Sequence, residues 1–291
     1  MRTILSTCLV VFLFSPSLWG QQWWQPDMWR VESSSDLKVT KNVTYRIVGS
    51  EKLKADVVRP DDDKAYPLVM MVHGGGWTSG DKWELLNHVR EVAKAGFVAV
   101  SINYRLAPKH QMAAQIDDCR FALSWAINNS KKWRANSDRV GLWGYSAGAH
   151  LVSMIALQDE WNQPRYRLRE SPAICAVVAG GAPCSFDFIP PDNRVIAHVF
   201  GGTKDEVPEA YRLASPIEYV RADAPPFFFF HGTNDFLVPQ TISRAMSDKL
   251  RTLGATAEYL SVEGKGHMFT FLDSDAREQA VNFLVQRLVK D

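Results

Sequence analysis

The chain has little cysteine and no surplus of either charge. Four of its 291 residues are Cys (Cys8, Cys119, Cys175 and Cys184), which is too few for a disulfide scaffold. None is spaced with histidines as metal ligands are, so no metal is expected. Lys and Arg number 33 against 32 Asp and Glu; without a basic field, nucleic acid and anionic lipid are not expected partners, and a neutral, modest-sized ligand fits better. Internal repeats and long low-complexity linkers are also missing, which argues against solenoid and fibrous classes.

Long apolar runs are scarce too. The one at the start, residues 9–14 after Met1-Arg2 and Ile4-Leu5, stops at Ser15-Pro16 with small Gly20 close behind. It is shorter than the roughly 20 residues of a membrane span and has the pattern of a secretory signal peptide. The expectation is a signal at 1–20, a mature chain from near Gln21 that is secreted or periplasmic, and no membrane association after signal removal. Leu18 is not ideal three positions before the cut, so an uncleaved anchor or a buried N-terminal segment stays open. Cleavage removes Arg2, leaving acidic and basic residues equal in number. It also removes Cys8, and the remaining three thiols permit at most one disulfide. Cys175 and Cys184 are the nearer pair, but Cys175 lies in a strand-like run, so free thiols are expected. Trp23, Trp24 and Trp29 cluster in residues 21–40, read as an arm that docks on the core.

Strand-like and helix-like runs alternate through the rest, which predicts an α/β fold with a mostly parallel central sheet flanked by helices. Residues 41–291 are read as one catalytic domain, an ordinary size for this class. Two irregular stretches rich in Pro, Gly and charge, 158–172 and 184–223, are expected to form a partial cap from loop insertions.

Gly144-Tyr145-Ser146-Ala147-Gly148 follows a strand-like run at 139–143 and precedes a helix-like run at 149–157. A Gly-x-Ser-x-Gly string is weak alone, but a strand, sharp turn and helix around it make a nucleophile elbow, with Ser146 as nucleophile. Upstream, the buried-strand pattern at 67–72 ends in His73-Gly74-Gly75-Gly76-Trp77. The expected oxyanion donors are the amides of Gly75 and Gly76, joined by Ala147. The plain alternative, a phosphate cradle, lacks the Lys-Ser/Thr ending of a P-loop. Trp77 and Tyr145 are expected to line the substrate pocket.

A serine nucleophile needs a base and an acid, in the chain order Ser, Asp, His. Asp235 lies just past the run Pro226-Phe227-Phe228-Phe229-Phe230 and is the expected acid; Asp223 falls before the strand, and Asp187 sits nearer the nucleophile. His267, in a Gly-flanked loop after the strand-like 257–262, is the expected base. His73, His150 and His231 read as structural.

These strings carry a resemblance. With Thr78-Ser79-Gly80-Asp81-Lys82, Ser101-Ile102-Asn103-Tyr104-Arg105-Leu106-Ala107-Pro108, Phe200-Gly201-Gly202 and residues 214–220 in the same order, the chain resembles α/β-hydrolase esterases grouped around bifunctional feruloyl and acetylxylan esterases. Residues 109–114 depart from that pattern, lacking the Phe-Pro pair. The resemblance implies a cofactor-free serine carboxylesterase acting on short-acyl or aryl esters, either small molecules or polysaccharide-borne. Three alternatives stand beside it: a prolyl-oligopeptidase-like peptidase, which this chain has no room to complete, an arylformamidase-like amide hydrolase, and an inactive binding module with the same fold.

Overall fold

The computed structural model describes residues 36–168 and 170–289. The expected signal at 1–20, Cys8 and the tryptophans at 23, 24 and 29 lie outside the described residues. Eight strands, β1 (Leu37–Val48), β2 (Glu51–Pro60), β3 (Tyr66–Val72), β4 (Val98–Ile102), β5 (Ala135–Tyr145), β6 (Ile174–Gly180), β7 (Phe227–Gly232) and β8 (Ala257–Val262), form one sheet in the order β1-β2-β4-β3-β5-β6-β7-β8. β2 runs antiparallel to β1 and β4, and the other pairs are parallel. β1 begins at Leu37, so the sheet takes in four residues that the sequence pattern assigned to the arm.

The parallel strands are apolar because helices cover both faces. Along β3, Leu68, Met70 and Val72 enter one core while Val69 and Met71 enter the other, as the two-residue repeat of a strand requires. The helices are α1 (Leu86–Lys94), α2 (Met112–Asn128), α3 (Ser130–Trp133), α4 (Ala147–Leu157), α5 (Ala197–Phe200), α6 (Pro208–Leu213), α7 (Gln240–Thr252), α8 (His267–Phe271) and α9 (Ser274–Leu288). Residues of α1 and α9 pack on one face, and those of α2, α4 and α7 on the other. Every residue of α4 is buried, which explains its apolar sequence and the absence of a polar stripe.

Asp118 on α2 is fully buried and takes Arg46 of β1 at 2.7 Å and Arg105, after β4, at 2.7 Å. This ion cluster ties the antiparallel edge of the sheet to a covering helix. Cys119, Cys175 and Cys184 are free thiols.

The order β4-β3-β5 makes β3 the point where the chain turns from building one side of the sheet to building the other. Loops leaving the carboxyl ends of β3 and β5 therefore start side by side and lead to helices on opposite faces of the sheet, α1 on one and α4 on the other.

Candidate active site

Ser146 sits at the end of β5 with φ +54° and ψ −123°, a left-handed conformation that costs a non-glycine residue about 1–3 kcal/mol. The flanking glycines make the bend possible. A Cβ on Gly144 would lie 2.3 Å from the Gly148 carbonyl carbon, and one on Gly148 would lie 2.0 Å from the Val72 oxygen. Strand β5, helix α4 and the end of β3 thus touch backbone to backbone. The Ser146 amide is held by the Gly180 carbonyl at 2.8 Å.

Gly75 has φ +103°, and a Cβ there would meet the Ser79 carbonyl oxygen at 2.2 Å. Its own carbonyl is the anchor of the loop, accepting from the amides of Thr78 and Ser79 at 3.1 and 3.0 Å. The amides of Gly75 and Gly76 make no hydrogen bond among the described residues, and neither does the amide of Ala147 in the first turn of α4. A Cβ on Gly74 would be 3.3 Å from the Ser146 Cβ, so this loop lies directly against the elbow. His73 anchors its base: the ring stacks on Tyr104 with centroids 4.5 Å apart, and burial lowers its pKa to about 4.

Asp235, in the turn after β7, is buried, and its carboxylate has four partners. Oδ1 accepts from the amides of Leu237 and Val238 at 3.0 and 2.9 Å; Oδ2 meets His267 Nδ1 at 2.6 Å and His231 Nε2 at 3.1 Å. Burial alone would raise the carboxyl, but the two histidine hydrogen bonds, the charge of His267 and the Val238 amide outweigh it and hold Asp235 well below the usual carboxylate range. The bond from His267 Nδ1–H to Asp235 leaves Nε2 as the basic nitrogen, and that atom is buried without a hydrogen-bond partner. A Cβ on Gly181, next to the residue that holds the Ser146 amide, would lie 3.0 Å from His267 Cε1, so the imidazole stands beside the elbow. The two competing acids lie elsewhere: Asp187 accepts from Ser185 at 2.7 Å, and exposed Asp223 pairs with Arg221 at 3.0 Å.

Trp77 and Tyr145 occupy opposite faces of the sheet. Trp77 is buried, with φ +62°, and its indole N–H donates to His150 Nδ1 at 3.3 Å; His150 Nε2–H in turn donates to the Ala214 carbonyl at 2.6 Å. This tautomer requires a neutral ring, and burial lowers the His150 pKa to about 4, partly offset by the bond to Ala214. Phe186 and Phe200 pack on Trp77 at 5.7 and 6.5 Å between centroids. Residues 186 and 200 of the stretch 184–223 thus pack against the side chain of Trp77 in the 73–77 loop, whereas 158–172 packs along α2, where Tyr166 donates to Asp117 at 2.8 Å. Tyr145 is buried against His267 with centroids 5.2 Å apart, and its hydroxyl donates to the His267 carbonyl at 2.5 Å. Its side chain supports the loop that carries His267.

His231 is the partner that sequence reasoning passed over. Fully buried at the end of β7, it faces two acceptors with Nε2, Asp235 Oδ2 and the Val238 carbonyl at 2.9 Å, so Nε2 carries a hydrogen; Nδ1 meets Ser243 Oγ at 2.7 Å. The available signal was its spacing four residues before Asp235 across a Gly-containing turn.

The family follows from this geometry and from one comparison. A family model described as BD-FAE matches residues 55–250. The chain belongs to the BD-FAE family of α/β hydrolases. This BD-FAE chain is 31% identical over 243 residues to the esterase LipQ of Mycobacterium tuberculosis, covering 79% of the chain and 57% of LipQ. With the esterase LipC of the same organism it shares 32% over 238 residues, 75% and 57% of the two chains. It thus spans about half the length of these curated relatives. Its fold matches a truncated form of carbohydrate esterase from gut microbiota with TM-score 0.78 at 24% identity, covering 86% of this chain and 95% of that one. It also matches propionate-bound Thermogutta terrifontis esterase 2 with TM-score 0.74 at 22% identity, covering 86% and 96%. Among the described residues no group of His, Cys, Asp and Glu is arranged to hold a metal ion.

Proposed function

We propose that the protein is a serine carboxylic-ester hydrolase with Ser146 as nucleophile, His267 as base and Asp235 as the acid that orients it. The observation that carries this reading is the 2.6 Å bond from His267 Nδ1 to Asp235, which leaves Nε2 unpartnered beside a strained serine. His267 Nε2 takes the Ser146 proton as Oγ attacks the ester carbonyl. The tetrahedral oxyanion is met by the amides of Gly75, Gly76 and Ala147, which need no rearrangement to receive it. As the alkoxide leaves, His267 returns the proton to it, and a water activated by the same nitrogen then frees the acid and restores Ser146. The esterase names of the relatives support the reaction class.

Substrates are proposed to be short-acyl or aryl esters, including acetyl or feruloyl groups on polysaccharides. The aromatic block of Trp77, Phe186 and Phe200 behind the oxyanion loop supports the short acyl group, because a long chain directed towards it would have to displace packed side chains. Secretion belongs to the same reading and rests on the sequence pattern of residues 1–20. The test is the initial rate on p-nitrophenyl acetate, butyrate and octanoate and on methyl ferulate. Ser146→Ala is expected to lower turnover by about 10⁴ or more. Full activity in that variant would end the proposal, and a rate rising with acyl length would remove its short-acyl part.

A further inference from the structure

Along the carboxyl edge of the sheet the site has a direction. The oxyanion loop follows β3, Ser146 follows β5, and Asp235 and His267 follow β7 and β8, on the far side of Ser146. An ester bound with its carbonyl oxygen at Gly75 and Gly76 must present its leaving oxygen to His267 Nε2, since that nitrogen supplies the proton. The alcohol portion therefore lies over the loops that carry Asp235 and His267.

Those loops expose an apolar shelf. Phe236 and Leu237, directly after the acid, are 96% and 68% exposed; Met268, Phe269 and Leu272, directly after the base, are 63%, 68% and 60% exposed. The inward side chains of α8 are His267, Thr270 and Phe271, and Phe271 packs on Tyr145 and His88 at 5.0 and 4.4 Å between centroids. The outward face carries no charge. The two loops are joined by the Asn234 amide on the Lys265 carbonyl at 3.0 Å, so they stand side by side at this edge of the sheet. Apolar groups this concentrated at the rim of a site mark a surface that something apolar covers.

We infer that this shelf is the subsite for the alcohol portion of the ester, and that the enzyme selects esters of a short acid with an extended apolar or aromatic alcohol. The inference rests on the esterase reading above. Its occupant is identified by continuity, because the shelf begins one residue beyond His267, which supplies the leaving group's proton, and one residue beyond Asp235, which holds that imidazole.

The test compares ethyl acetate with hexyl acetate, both below their solubility limits, on the full chain. Their alkoxides are nearly equal in basicity, so the ratio of kcat/KM reports contact with the alcohol and not leaving-group chemistry. A ratio of about ten or more is expected for the unaltered protein from the four added methylenes on a half-open surface. It should fall to within about twofold in Phe236→Ser/Phe269→Ser and persist in the control Phe236→Leu/Phe269→Leu, while ethyl hexanoate gains nothing over ethyl acetate. A ratio near one in the unaltered protein, or one that survives the serine pair, overturns the inference and leaves the esterase reading standing. Absence of Ser146-dependent turnover on every ester overturns both. Binding to phosphatidylcholine vesicles that the serine pair abolishes, with a ratio near one on dissolved esters, assigns the shelf to a lipid surface and overturns the inference.

Discussion

Stability should fall steeply between pH 7 and pH 5, and histidines are the reason. His73 at the base of the oxyanion loop, His88 on α1 and His150 on α4 are all buried, and burial lowers each pKa to about 4. Arg277 pushes His88 the same way, while the Phe271 carbonyl opposes it. In the unfolded chain each titrates near the ordinary value of 6.5, so as the pH drops the unfolded state binds protons that the folded state refuses. The loss begins at the unfolded pKa and is complete at the folded one. Each residue then costs about 0.8 kcal/mol at pH 6 and about 2 kcal/mol at pH 5, relative to pH 8. The three sites share no direct contact among those described, so their effects should add to roughly 6 kcal/mol at pH 5, a large share of the 5–15 kcal/mol typical of folded proteins. Asp235 contributes nothing to this window, because its carboxyl is held low and its stabilisation is lost only in stronger acid. Urea unfolding at pH 8, 6 and 5 gives the measurement, and His88→Gln should shrink the drop by about a third. Unfolding free energies constant to within about 1 kcal/mol across that range would show that these histidines are not held neutral by the fold.

Gly75→Ala forces a Cβ against the Ser79 carbonyl and displaces one oxyanion donor, so kcat on p-nitrophenyl acetate should fall about 10²–10³-fold with KM little changed. His231→Leu removes a hydrogen bond from a buried charged carboxylate and should cost about 1.5–3 kcal/mol in urea unfolding and lower kcat more than it alters KM; a wild-type kcat at intact stability would deny His231 any positioning role. Asp118→Asn leaves Arg46 and Arg105 with a neutral partner, and a loss of about 3–5 kcal/mol is expected by the same assay.

The parallel core was legible because its strands are short continuous apolar runs between turn residues: β3 and β7 lie within a residue or two of the runs at 67–72 and 226–230. β1 was harder to read. Its Leu37-Lys38-Val39-Thr40 start belongs to an antiparallel edge strand with much of its length exposed, so periodicity gave no strong signal and the arm absorbed it. The tight turns at 73–77 and 144–148 could be read because both need glycine for close backbone approach, and glycine is visible in a sequence. Side-chain direction was not. Tyr145 sits between two legible glycines, yet only the pleat of β5 decides that its ring turns towards His267 and away from Trp77. His231 was easy to pass over as a partner of Asp235 for a similar reason: its spacing hinted at the contact, but the 3.1 Å approach depends on the Asp235 carboxylate capturing the Leu237 and Val238 amides, a turn that residue types alone do not dictate.

The acid locks its own turn through backbone amides, which every amino acid except proline supplies, while the side chains at 236 and 237 point outward from it and take no part in the lock. The tip of this loop can therefore change identity without moving the carboxylate. With the shelf as the alcohol subsite inferred above, position 236 is where a single codon change would alter what is recognised while the reaction itself stays intact.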